Sequence, residues 1–251
     1  MNTALQADRV SVAFDGLKAL SNVTLDIPPQ RVTGLIGPNG AGKTTLVNVL
    51  TGFQRPTGGR VTLNGQAVDG IAPHKVRRLG VARTFQSGRL FSDLTVLENL
   101  EVTGVGLGLS RGEAVREAGE MLAWMGIGHL AGRIAGTLPY TDERRVAIGR
   151  ALIMRPHYLL LDEPAAGMSR EEAADLAGLI RRIIAEIKCG VLLIEHNIGL
   201  VLEICDMIHV LDSGEVIDGG NPADIKASEK VRHAYMGTQT DFDQPVEGAI
   251  L

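Results

Sequence analysis

The run Gly37-Pro38-Asn39-Gly40-Ala41-Gly42-Lys43-Thr44 constrains the fold more than any other stretch of the chain. It fits a phosphate-binding loop: glycine, four residues, then Gly-Lys-Thr. Such a loop has meaning only between a strand and a helix, and both are legible. Val32–Ile36 is a short apolar run of buried-strand type, and residues 44–50 read as a helix that Gly52 can stop. The glycines let the backbone curl until successive N–H groups point at phosphate oxygens. The helix start adds partial positive charge. In this frame Lys43 reaches the β and γ phosphates, and the Thr44 hydroxyl binds Mg²⁺.

The rest of the composition fits an α/β chain with a substantial core. There are 251 residues, 45% of them apolar, enough for one large domain or a core with a small appendage. A net charge of −4 argues against a broad nucleic-acid footprint, which needs a basic excess. Cys189 and Cys205 form neither a metal pattern nor a disulfide framework and point to a reducing compartment. No apolar run approaches a membrane span, and the first ten residues lack the basic start and apolar centre of a leader. A cytoplasmic chain able to dock on a membrane protein is expected.

Before the loop, Val10, Val12 and Phe14 alternate, Asp15-Gly16 can turn, and Val23, Leu25 and Ile27 alternate again, which reads as a hairpin. Phe14 is either ordinary core or a π-face on which an adenine can stack. After the loop come a strand at 60–63, a tight turn at Asn64-Gly65 and a strand at 81–85 that ends at Gln86. The middle changes character. Thr95-Val96-Leu97-Glu98 and Ser110-Arg111-Gly112-Glu113 are capping boxes, and Gly104 to Gly108 separate the two helices they open. This predicts a small helical insert, about residues 88–139, whose Met and Leu stripe is core. Trp124 has no partner that the sequence names.

A helix at 144–154 leads to Tyr158-Leu159-Leu160-Leu161-Asp162-Glu163. An apolar strand ending in two acids, downstream of a phosphate loop, is the second signature of a nucleotide triphosphatase. The strand delivers Asp162 to the carboxyl edge of the sheet, where ligands bind. There Asp162 is expected to hold Mg²⁺ through water, and Glu163 to orient and deprotonate the attacking water. Ser169 opens another capped helix. Val191 to Ile194 form the next buried strand, and His196 follows it, able to share the same edge. A hairpin around Asp212-Ser213-Gly214, a last helix from Pro222 to about residue 236, and a loose tail at 239–251 complete the chain.

In this order the motifs resemble the ATP-binding subunit of an ATP-binding cassette (ABC) transporter, over about residues 5–238. The resemblance implies a single domain: a nucleotide core with an antiparallel β subdomain, about 5–87 and 140–238, and the helical insert as a small helical subdomain. It assigns Phe14 to adenine stacking, residues 37–45 including Thr45 to the nucleotide, and Gln86 to sensing Mg²⁺ and the membrane partner. It assigns Asp162 to Mg²⁺, Glu163 to the catalytic base, the 165–168 loop to a dimer contact and His196 to the γ-phosphate. ATP and Mg²⁺ are the implied cofactors. The implied partners are a second cassette subunit, identical or related, integral membrane permease subunits and, indirectly, a periplasmic or extracellular solute-binding protein. The implied location is the inner face of the cell membrane.

Several runs narrow the resemblance to subunits that energise uptake of branched-chain amino acids: Ala82-Arg83-Thr84-Phe85-Gln86, Arg89-Leu90-Phe91, Leu94-Thr95-Val96-Leu97-Glu98-Asn99, Glu163-Pro164-Ala165-Ala166-Gly167 and Ile194-Glu195-His196-Asn197. Import of another small solute such as urea, or a non-transport cassette ATPase, is the alternative. About 95 residues between Lys43 and Leu138 leave no room for the long coiled-coil arm of chromosome-maintenance ATPases. One motif departs from the family. Its signature is Leu-Ser-Gly-Gly-Gln, and here the run is Leu138-Pro139-Tyr140-Thr141-Asp142. Tyr140, Thr141 and Asp142 are therefore expected at a partner's nucleotide, with Thr141 resisting a positive φ and Asp142 bringing charge of the wrong sign.

Overall fold

The computed structural model describes residues 4–85 and 88–235. The chain opens with strands β1 (Leu5–Phe14), β2 (Leu17–Ile27) and β3 (Val32–Ile36), helix α1 (Lys43–Leu50), strands β4 (Gly58–Leu63) and β5 (Gln66–Ala67), helix α2 (Pro73–Arg78) and strand β6 (Val81–Arg83). Three helices follow, α3 (Val96–Gly106), α4 (Arg111–Trp124) and α5 (Tyr140–Leu152). The chain then alternates: β7 (Tyr158–Asp162), α6 (Arg170–Arg182), β8 (Gly190–Ile194), α7 (Ile198–Ile204), β9 (Met207–Asp212), β10 (Glu215–Gly220), α8 (Pro222–Ala227) and α9 (Glu229–Tyr235).

Two sheets form. The first is antiparallel, in the order β2-β1-β4-β5. The second runs β10-β9-β3-β8-β7-β6 and is parallel except for β10. The parallel strands are apolar on both faces because both faces are covered. Alternation along each strand divides the core in two. Leu159, Leu161, Val191 and Leu193 face a helical layer with Leu100, Leu122, Ile148 and Ile180. Tyr158, Leu160, Leu192 and Ile194 face α1 and the antiparallel sheet through Leu46, Leu50, Val10 and Leu25.

The three expected capping boxes all close, at Thr95–Glu98, Ser110–Glu113 and Ser169–Glu172. Other boundaries move. The strand expected at 81–85 ends at Arg83; Thr84 donates its N–H to Leu160 O and its hydroxyl accepts Asp162 N–H as the chain leaves the sheet. α3 runs through Gly104 to Gly106. The helix expected at 144–154 starts at Tyr140 and stops at Leu152. Its first turn is polar and falls outside the apolar periodicity, and Ile153 is extended. The last helix is two: Ser228 is extended, donates its hydroxyl to Asp218 and receives Val231 N–H at 3.3 Å, capping the second piece.

Trp124 finds a partner. Its indole N–H donates to Glu186 Oε2 at 2.6 Å, and the Arg182 guanidinium lies 4.6 Å over the ring. Glu186 sits on a π-helical turn, Ile183–Ile187, that continues α6. The contact ties α4 to the layer that covers the parallel sheet. Cys189 and Cys205 are buried free thiols, each pushed up to about 12 by burial. No helix among the described residues is long and apolar enough to cross a membrane.

Leu161 lies fully buried on the helix-facing side of β7. Leu161→Ala is expected to cost about 2–5 kcal/mol, read as a lower urea midpoint at unchanged slope. Leu17 is 74% exposed, and Leu17→Ala is expected to stay within about 0.5 kcal/mol.

Candidate functional site

The parallel order β3-β8-β7 brings three carboxyl ends together. The phosphate loop leaves β3, Glu195 and His196 leave β8, and Glu163 leaves β7. This is the edge at which open α/β sheets bind ligands.

The loop between β3 and α1 can only be built with glycine at two points. Gly37 has φ +153°, and a Cβ there would lie 1.9 Å from Leu211 O. Gly42, at φ +104°, caps α1 in the left-handed region, where a Cβ would meet Ala19 O at 2.7 Å. Gly214 N–H donates to Ala41 O at 3.0 Å, which pins the loop to the β9–β10 turn. No side chain caps α1 and no acid occupies its first turn, so its first N–H groups and positive end face outward. Lys43 is 7% exposed and donates from Nζ to Gly37 O at 2.7 Å and Pro38 O at 3.0 Å. Burial lowers its pKa, while Glu163 and Asp162 pull it back up.

A cleft of about 470 Å³ runs along this loop, lined by Asn39 to Thr45 on one side and by Leu17, Lys18, Glu163 and Ser213 on the other. Phe14, at the start of the β1–β2 turn and paired in register with Leu17, is 46% exposed. It is not core, and its register partner Leu17 lines the cleft. A second cavity, about 750 Å³, is lined by Thr44, Asn48, Arg83, Tyr140 and Asp162 with Phe53, Phe85 and Arg89. Thr44 borders both.

Asp162 is 8% exposed. Its Oδ2 accepts Arg83 Nη2 at 3.1 Å, while Arg83 Nη1 reaches Asn48 Oδ1 at 2.7 Å. The Arg83 guanidinium also stacks 4.4 Å from the Phe85 ring centre. Burial raises the pKa of Asp162 and lowers that of Arg83, in each case outweighing the attraction between them. Such a pair is held by geometry more than by net energy. Asp162 and Thr44 line one cavity, and a carboxylate with a hydroxyl is an oxygen donor set that suits Mg²⁺. Gln86, the third expected ligand, lies outside the described residues.

Glu163 has φ +49°, a conformation that glutamate adopts only when its surroundings impose it. Backbone bonds on both sides hold it there. Its N–H donates to Ile194 O at 2.9 Å, and its carbonyl accepts Arg144 Nη1. The side chain then meets His196, with Oε1 2.8 Å from Nε2.

The departure at 140–142 has a local explanation. Tyr140, Thr141 and Asp142 form the first turn of α5, and Thr141 is not among the residues with positive φ. The expected backbone strain at Thr141 is therefore absent. Its hydroxyl donates to Glu172 Oε1 at 2.7 Å, joining the starts of α5 and α6. Tyr140 stacks on Arg144, 4.7 Å from its guanidinium, and accepts a hydrogen bond from it. Arg144 thus links Tyr140 to the Glu163 carbonyl within one chain. Sequence reading gave Arg83, Asn48 and Arg144 no role. Arg83 stood in a quoted run, but only the pairing of β6 with β7 sets it beside Asp162.

The family described as ABC transporter matches residues 20–166. The high-affinity branched-chain amino acid transport ATP-binding protein BraF of Pseudomonas aeruginosa is 41% identical over 248 residues, covering 93% of this chain and 97% of that protein. The corresponding protein LivG of Escherichia coli is 40% identical with the same coverage. Among solved structures, the ADP conformation of an ATP-binding cassette of an ABC transporter matches with a TM-score of 0.85 at 31% identity, covering 93% of this chain and 98% of that one.

The Arg83–Asp162 pair yields a stability test. Its side chains are 7% and 11% exposed. Arg83→Met is expected to cost about 3–5 kcal/mol by stranding a buried charge. Arg83→Met with Asp162→Asn should recover most of that loss in urea denaturation.

Proposed function

The chain belongs to the ABC transporter family, and on that premise we propose that it powers import of branched-chain amino acids by hydrolysing ATP. The carrying observation is the identity of 40–41%, nearly end to end, with subunits named for that transport. The chain binds nucleotide and is an ATPase by family.

In this reading the adenine stacks on Phe14. The phosphates lie along Gly37, Pro38, Asn39, Gly40, Ala41, Gly42, Thr44 and Thr45. Lys43 exchanges the carbonyls of Gly37 and Pro38 for the β and γ phosphates, a stronger charge-assisted partner. Thr44, Asp162 and Gln86 would hold Mg²⁺, which would supply neutralisation of phosphate charge. Glu163 accepts a proton from the attacking water as the water oxygen bonds to the γ phosphorus. The bond from that phosphorus to the bridging oxygen breaks, leaving ADP and phosphate. His196 orients the Glu163 carboxylate across the 2.8 Å contact and faces the γ-phosphate. The stacked, hydrogen-bonded placement of Arg83 on one oxygen of Asp162 leaves the other oxygen for the ion.

Two such cassettes, identical or related, close over two ATP molecules and pull on membrane permease subunits at the inner face of the membrane. A solute-binding protein outside delivers the amino acid. Within the chain, about 5–87 and 140–238 act as the β and nucleotide-binding parts, and about 88–139 as the helical part that meets the partner.

Glu163→Gln should leave ATP affinity intact by calorimetry and slow single-site hydrolysis about 10²–10⁴-fold. Uptake of labelled leucine, isoleucine and valine by the assembled transporter should fall with it. Near-normal turnover would remove Glu163 from the role, and dependence of uptake on a different solute would overturn the substrate.

The acidic first turn of α5 makes the partner's site the weaker one. Asp142→Gln, which spares the Thr141–Glu172 bond, is expected to raise turnover at the partner's nucleotide and leave this chain's own site unchanged, assayed with each base disabled in turn. In a homodimer both sites rise together. No change at either site would show that Asp142 is tolerated there.

A further inference from the structure

Glu195 is a buried carboxylate to which the scheme above gives no task. It follows β8 directly and is 2% exposed. Both oxygens are engaged by backbone donors. Oε1 accepts Ala165 N–H at 2.5 Å. Oε2 accepts His196 N–H at 3.0 Å and Asn197 N–H at 3.4 Å. The donors belong to two different loops, one after β7 and one after β8. Each loop carries one member of the Glu163–His196 contact.

The choice of Ala165 has a covalent reason. Pro164 has no N–H, so Ala165 is the first residue beyond Glu163 whose backbone can be held from that side. The loop carries a residue in the left-handed region, Glu163 at φ +49°, whose N–H donates to Ile194 O and whose carbonyl accepts Arg144 Nη1 and Ala166 N–H. On the other side Asn197 caps α7 by accepting Leu200 N–H at 3.0 Å, so the second loop is anchored where Glu195 grips it. The carboxyl group of Glu195 has acceptor positions on both oxygens and so can serve both loops at once, which a carboxamide cannot. Burial raises its pKa, and the three backbone bonds draw it back down against a further push from Glu163.

We propose that Glu195 is the positioning residue of the hydrolytic pair, a clamp that fixes the loop of Glu163 against the loop of His196 so that the two side chains meet at 2.8 Å. Its hydrogen-bond partners are backbone N–H groups of the two loops. The inference rests on the reading of Glu163 as the base.

The test is Glu195→Gln in the full chain, assembled with its transport partners and assayed at this chain's site. A carboxamide oxygen can serve one loop, but its N–H₂ then faces the N–H of the other. Hydrolysis in a single turnover should fall roughly 10–100-fold, the scale of a small misplacement of reacting groups, with ATP affinity unchanged by calorimetry. Exchange of the Ala165 and His196 amides should accelerate, while Leu160 and Leu192 stay protected. In a Glu163→Gln background the second substitution should add no further loss, because the clamp acts through Glu163. Glu195→Asp, which keeps the charge but is one methylene short, should lie between, and it carries the same comparison if Glu195→Gln does not fold. Unchanged hydrolysis in Glu195→Gln, beside a dead Glu163→Gln, overturns the clamp and leaves the base standing. Full additivity of the two losses also overturns it. Normal turnover in Glu163→Gln removes the base and the clamp together.

Discussion

One row of backbone pairing across the parallel sheet holds the site together. Ile194 of β8 pairs with Leu35 of β3 on one side and with Asp162 of β7 on the other. From that row the phosphate loop begins two residues on in β3, Glu163 one residue on in β7, and Glu195 and His196 one and two residues on in β8. Three chain segments far apart in sequence thus leave the sheet level with one another. A slip of one residue in either ladder would turn every side chain of that strand to the opposite face. The two-sided apolar pattern of β7 and β8 resists the slip only weakly, since both faces are apolar. The bonds beyond the sheet therefore matter: Glu163 N–H to Ile194 O ties β7 to β8 one step past their last pair.

Charge at this edge is arranged by burial as much as by attraction. Lys43, Arg83 and Asp162 each lose solvent, and burial is the largest influence on the pKa of all three. A cationic loop that receives a triphosphate needs groups whose charge is not already quenched by water. Here the guanidinium of Arg83 is spread between Asp162, Asn48 and an aromatic face, so it compensates the carboxylate without covering both of its oxygens. The strained Glu163 backbone belongs to the same logic. A conformation that is locally unfavourable persists because Ile194 and Arg144 fix both of its ends.

Legibility in the sequence follows distance along the chain. The phosphate loop, the Asp162-Glu163 strand end and the three capping boxes are patterns of a few consecutive residues, and they fold as read. The Arg83–Asp162 pair joins residues 79 apart, and Glu195 meets Ala165 across 30. No local pattern announces either. The start of α5 was hidden for a different reason: its first turn, Tyr140 to Glu143, has no apolar periodicity and follows a proline, so only the buried stripe from Arg144 onward reads as helix. Likewise the break at Ser228 depends on Asp218, a residue on β10. The odd residues at 140–142 looked like damage to a loop, whereas Thr141 is used within its own chain as a tie to Glu172.

The Trp124 joint has an optical consequence. This is the only tryptophan in 251 residues. Its ring is stacked under Arg182 and its N–H is bonded to Glu186. Tryptophan emission of the chain therefore originates at one place, the seam between α4 and the end of α6. Light emitted there carries no signal from the nucleotide cleft itself, only from the way the helical layer rides on the sheet. Any movement of that layer against the sheet would be read by that single indole, with no label to attach.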